Sequence, residues 1–209
     1  MKRALLVLAA CGSNAAAPPV PPVPQEPSKA VPPASWPVPA GWKSESFPFP
    51  LEFAPGLAHR GVEELRFAPG MFDPKAGGYW SYAFVWRTDD AATLAAPILA
   101  AELTIYFRGL LAAVDETKKQ IKSLDDIVVK VTGEGEGEKR FSLAISLVDA
   151  FGDGRAVALA GWAQRTSCGT GSLWVFVMSP EKSTLRAELD ALGQAAACGQ
   201  QLPVKSPAG

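Results

Sequence analysis

Few residues in this chain are equipped for chemistry. It holds one histidine, His59, so a Ser-His-Asp or Cys-His arrangement could draw its base from nowhere else. No Gly-x-Ser-x-Gly element accompanies that histidine, and no Gly-rich phosphate loop follows a strand. His59 falls between two extended segments, where a histidine is ordinarily a surface loop residue. Glu63 and Glu64 are adjacent acids, but neighbours on a strand point to opposite faces, so they cannot flank one bond as glycosidase carboxylates do. An enzymatic reading therefore needs carboxylates gathered by the fold, with or without His59, in a cofactor-independent hydrolase. Of the three cysteines, Cys11, Cys168 and Cys198, no two have a histidine close by, which leaves a tetrahedral metal site incomplete. The Glu-Gly repeat at 133–138 lacks the ligand number and spacing of a calcium loop and reads as a solvated turn. Neither a metal nor a cofactor is expected.

Cys11 has a different context. Lys2 and Arg3 precede a short apolar run from Ala4 to Ala10, far short of the about 20 residues that a bilayer core requires. A basic head, a brief hydrophobic segment and small residues ahead of a cleavage point are the parts of an export signal. The ending Leu8-Ala9-Ala10-Cys11 resembles the lipobox of bacterial lipoproteins. That resemblance implies a diacylglycerol on the Cys11 sulfur, cleavage just before it and acylation of the new amino group; the alternative is an ordinary secretory signal. Two or more acyl chains, at ~0.8 kcal/mol per buried methylene, give stable anchoring. Gly12 stands where an Asp would follow the cysteine, and by the enterobacterial sorting rule its absence points to the outer membrane. Without Lys2 and Arg3 the balance is 18 basic to 21 acidic residues, a formal charge of −3, and no basic run suggests nucleic acid. The expected partners are the membrane, through the lipid, and an envelope protein or small ligand.

Residues 1–10 are thus assigned to the signal, 11–40 to a lipidated proline-rich spacer, 41–205 to one domain and 206–209 to a tail. Ten prolines between Pro18 and Pro39 exclude helix and sheet. Such a segment is polyproline-II-like and reaches up to ~70 Å at ~3.1 Å per residue. It would hold the domain off the membrane or, alternatively, offer Pro-Pro-Val-Pro-Pro-Val-Pro to an aromatic groove.

Within the domain, extended stretches are expected over 46–53, 61–68 and 79–87, separated by Pro- and Gly-rich turns. In the third, Trp80, Tyr82, Phe84 and Trp86 share one face, either as the floor under a helix or as the lining of a ligand groove. A long helix follows, with Asp89 and Asp90 near its start, Pro97 in its first turn and an apolar stripe from Leu99 to Val114. Next come a strand near 127–132 and a meander over 140–150, 155–165 and 173–178. One side of that meander is large and the other small, the small side open to a second helix or to solvent. Ser179-Pro180-Glu181 reads as the start of a short final helix. Cys168 and Cys198 flank that region. In an oxidising compartment they either pair, for a chain-entropy gain of roughly 3 to 4 kcal/mol, or remain free thiols. The fold class is α+β: an antiparallel sheet of about six to seven strands with one long and one short helix.

Glu63-Glu64-Leu65-Arg66-Phe67-Ala68-Pro69-Gly70, with the aromatic strand from Tyr79 to Trp86 and Tyr106-Phe107-Arg108-Gly109-Leu110, resembles a set of uncharacterised exported bacterial proteins. The order of elements is similar to the PsbP/Mog1-like sandwich, a resemblance that implies a fold and no activity. The role expected is non-catalytic: binding a partner or ligand in the cell envelope, or supporting assembly there.

Overall fold

Tyr82-Ala83-Phe84-Val85-Trp86-Arg87-Thr88 alternates large rings with smaller side chains, and this strand lies inside the sheet with a neighbour on each side. The computed structural model describes residues 36–91, 95–115, 121–134 and 139–199. The expected signal, the lipidation of Cys11, the spacer as far as residue 35, the acidic turn at 135–138, residues 116–119 after the long helix and the tail at 206–209 lie outside the described residues.

The elements are β1 Lys43–Pro48, β2 Gly61–Phe67, β3 Tyr82–Thr88, α1 Ala96–Asp115, β4 Val128–Glu134, β5 Arg140–Val148, β6 Ala156–Cys168, β7 Gly171–Ser179 and α2 Arg186–Gln194. The seven strands form one antiparallel sheet ordered β1-β2-β3-β7-β6-β5-β4, with α1 on one face and α2 on the other. This is the α+β architecture expected from the residue pattern. Two consecutive meanders, β1-β2-β3 and β4-β5-β6-β7, meet where β7 pairs with β3, placing Phe84 opposite Phe176.

α1 is 20 residues, about 30 Å, and carries the chain from the middle of the sheet to its far edge at β4. It is long and apolar enough to cross a membrane by length and composition, yet Leu99, Leu103, Tyr106, Phe107 and Leu111 are fully buried against the sheet. Gly109 allows this close seat. A Cβ there would collide with the carbonyl oxygen of Phe53, in the loop that crosses the helix.

α2 lies over β3 and β7, where Ala83, Val85, Val175 and Val177 meet Leu189 and Leu192. Ser142, Ala144, Ser146, Ala156 and Ala158 are exposed, so the small side of the outer meander is a solvent face and the second helix sits beside it. The expected helix start at Ser179-Pro180-Glu181 is not used. The β6–β7 ladder runs on through the pairing of Ala160 with Ser179, and α2 begins at Arg186 without a side-chain cap. Cys168 and Cys198 are disulfide-bonded, which ties the segment after α2 to the end of β6.

Trp36, inside the stretch assigned to the spacer, is buried in the core beneath α2. Its indole Nε1 donates to the Leu192 carbonyl at 2.9 Å, and the Arg66 guanidinium lies 4.4 Å from its ring centroid.

Candidate functional site

β2 reads Val62-Glu63-Glu64-Leu65-Arg66, and its alternation sends Glu63 toward α1 and Glu64 toward α2. Both are buried. Glu64 is fully partnered: Oε1 accepts from Arg87 Nε at 2.9 Å and Oε2 from Arg66 Nη2 at 3.0 Å. Arg66 also donates to the carbonyls of Trp36 and Pro37, and Arg87 to that of Ala197. This network joins the two ends of the domain and gives each Glu64 oxygen a built-in cationic partner.

Glu63 is the opposite case. Its Oε1 accepts from Trp86 Nε1 at 3.0 Å, and among the described residues no cation faces it. Among the described residues, its Oε2 and the hydroxyls of Tyr82 and Tyr106 have no partner within hydrogen-bond distance, though all three are buried. The groups are nevertheless close: Glu63 influences the ionisation of both phenols, and the Tyr106 hydroxyl helps to hold down the Glu63 pKa. Burial, with a smaller push from the charge of Glu45, raises the Glu63 carboxyl from 4.5 to about 7. Burial also pushes Tyr82 and Tyr106 well above the ordinary phenol range.

These groups line a cleft of about 220 Å³. Glu45 and Phe47 of β1 form its outer lip, Glu63, Leu65 and Phe67 of β2 with Tyr82 of β3 its floor, and Tyr106, Leu110 and Val114, spaced by four along α1, its roof. Phe53, Phe72, Trp80 and Phe151 come from loops. β1 is exposed along its whole length, so the cleft opens at the sheet edge. There it adjoins a wider apolar hollow of about 510 Å³ that shares Phe47 and Phe53.

Trp80 closes the inner end in a left-handed backbone conformation, φ 49°. For a tryptophan that conformation costs on the order of 1–3 kcal/mol and persists where the surroundings enforce it. Here its N–H donates to the Met71 carbonyl at 3.0 Å and its indole to Asp149 Oδ1 at 3.1 Å. Asp149 is itself fully buried and accepts the backbone N–H groups of Phe151 and Gly152, which fixes Phe151 at the cleft wall.

Comparison with protein-family models, with curated proteins and with solved structures finds no match. What the domain does has to be read from its own geometry.

The four aromatics singled out in the sequence are all buried on the α1 face. Trp80 and Tyr82 line the cleft. Phe84 lies deeper, stacked on Tyr106 and Phe176, while Trp86 reaches the cleft only through its hydrogen bond to Glu63. His59 is not at the surface. It is 9 % exposed, with Nε2 3.0 Å from Glu102 Oε2 and Nδ1 3.4 Å from Asp90 Oδ2, and its ring lies against Phe49 and Trp86. Burial alone would lower its pKa, but Glu102 and Asp90 together raise it above 6.5. His59 does not line the cleft, and Asp90, expected to complement the start of α1, serves it instead. Among the described residues, no three of His, Cys, Asp and Glu gather closely enough to hold a metal ion.

Glu63 is the site residue that sequence reasoning passed over. Its one signal was its place on β2 in phase with Leu65 and Phe67, which puts a carboxyl among core positions.

Proposed function

We propose that this chain is a lipid-anchored protein of the bacterial cell envelope whose domain binds a small ligand, without catalysis, in the cleft between β1–β2 and α1. The observation that carries the binding reading is a set of buried polar atoms, Glu63 Oε2 and the Tyr82 and Tyr106 hydroxyls, that have no partner within hydrogen-bond distance among the described residues and lie at the floor and roof of an otherwise aromatic cleft. Buried polar groups are partnered as a rule, and an unpartnered one costs about 1–3 kcal/mol. A bound polar head would recover that cost while the rings hold its apolar body. The anchor is supported by the Leu8-Cys11 signature alone.

Titration of the full-length chain with uncharged 2-phenylethanol, followed by NMR, tests the cleft. The Tyr82 and Tyr106 ring signals are expected to shift, and Leu110→Trp, which fills the cleft, should abolish the shift; an unchanged response in that variant would reject the site. Replacing Cys11 by Ser should release the protein from the membrane fraction, and an unmodified Cys11 thiol in the mature wild-type chain would reject the anchor.

A second reading has its own observation: a carboxyl with a pKa near 7 in a cleft is suited to general acid–base work in a hydrolase. The binding reading is favoured because, among the described residues, no Ser, Thr, Cys, Lys, Arg or His lines the cleft to supply a nucleophile or stabilise developing charge. Turnover of p-nitrophenyl esters lost in Glu63→Gln would reverse that preference.

A further inference from the structure

We infer that the ligand of this cleft carries an ammonium group on an apolar body, and that the ammonium seats against Glu63 Oε2 with the Tyr82 and Tyr106 hydroxyls beside it. The inference rests on the ligand-binding reading above and gives that ligand its chemistry.

Charge balance is the first argument. Glu45 and Glu63 line the cleft and Glu52 the adjoining hollow, whereas among the described residues no Lys, Arg or His lines either. Both hollows therefore present negative charge to whatever enters. An anion would be repelled, whereas a cation compensates Glu63 in its ionised form.

Hydrogen-bond count is the second. An ammonium brings three N–H donors, and the buried groups left over here are three oxygens able to accept, the Tyr106 hydroxyl keeping its own proton for the Glu63 carboxylate. The third is the wall. Ring faces attract a cation within about 6 Å of their centroids, more strongly once water is excluded. The apolar body has a place as well: a cavity of about 150 Å³ is enough for benzene, and this cleft is larger and continues past Phe47 and Phe53.

Glu63 couples this binding to pH. Burial and the Glu45 charge favour its neutral form, while the Trp86 indole and the Tyr106 hydroxyl favour the ionised one, the balance lying at about 7. Those groups and Tyr82 are the polar and titratable neighbours that bear on it from β1, β3 and α1. A cation that pairs with ionised Glu63 should gain about tenfold in affinity between pH 6 and pH 8, the rise in the ionised fraction, because an amine with pKa about 10 stays charged throughout.

The test compares 2-phenylethylamine with 2-phenylethanol, nearly equal in shape, by calorimetric titration of the full-length chain. At pH 8 the amine is expected to bind at least tenfold more tightly than the alcohol, to lose about tenfold on going to pH 6, and to lose its advantage over the alcohol in Glu63→Gln. Equal affinities at pH 8, or amine binding that is flat from pH 6 to pH 8, would overturn the inference and leave the ligand cleft standing. Amine binding that survives Leu110→Trp would also overturn it, since the amine would then sit elsewhere. Failure of both compounds to bind would overturn the inference and the ligand-binding reading together. The pH series needs no variant, so it decides the matter even if Glu63→Gln does not fold.

Discussion

Glu63 and Glu64 are the same residue type, one position apart on one strand, and both are buried, yet they have opposite surroundings. On the α2 face, Glu64 is enclosed by two arginines that also hold the Trp36, Pro37 and Ala197 carbonyls. On the α1 face, Glu63 has one indole donor and aromatic rings. A buried charge is stable when its partners are built in. Where they are not, the carboxyl holds its proton to higher pH and keeps the capacity to take a partner from outside. The first face is assembled for stability, and the second leaves open the place that the proposed ligand would take.

Removing the Glu64 carboxylate should have the largest effect. Glu64→Ala leaves Arg66 and Arg87 buried without their shared counter-charge, and a loss of about 3–5 kcal/mol is expected in urea unfolding; a loss below about 1 kcal/mol would mean that the network is not structural. Opening the Cys168–Cys198 bond with Ser at both positions releases the segment that gives Arg87 its Ala197 acceptor. For a loop of 30 residues the expected loss is about 3–4 kcal/mol in the same measurement.

Glu63 should show itself through pH. Its folded pKa lies above its unfolded one, so the native state holds the proton more tightly. The stabilisation this brings is complete below about pH 4.5 and falls away as pH rises to about 7. Over that window the wild type should lose at most about 3 kcal/mol, and Glu63→Gln should flatten the slope. Equal slopes would remove the contrast between the two acids. The smallest effect belongs to His59. Held by Glu102 and Asp90, it should titrate by NMR above pH 6.5, and its share of stability should be present below that pH and be lost as pH rises through the folded pKa.

Much of this architecture was legible in the residue pattern, because strand alternation and helical periodicity are local. The aromatic face of β3, the apolar stripe of α1 and the two-sided meander all follow from period and side-chain size. The opposite directions of Glu63 and Glu64 follow in the same way. The remainder depended on contacts far apart in sequence. His59 finds Glu102 43 positions away, and Trp36 finds Leu192 156 positions away. The start of α2 was misplaced because Ser179-Pro180-Glu181 has the chemistry of a helix start, while strand pairing with Ala160 claims Ser179 first. The cleft itself needs β1, β2, α1 and three loops at once, and no single stretch encodes it.

The clamp on Trp36 and Pro37 also bears on how the domain would carry mechanical force. β1 is an edge strand with one neighbour and would peel away if pulled directly. A tug on the chain ahead of Trp36 instead meets the Arg66 side chain of β2 and the Leu192 carbonyl of α2. The load is thus delivered to an inner strand and to the helix behind it, and the sheet cannot begin to unzip from its margin until that fastening has slipped.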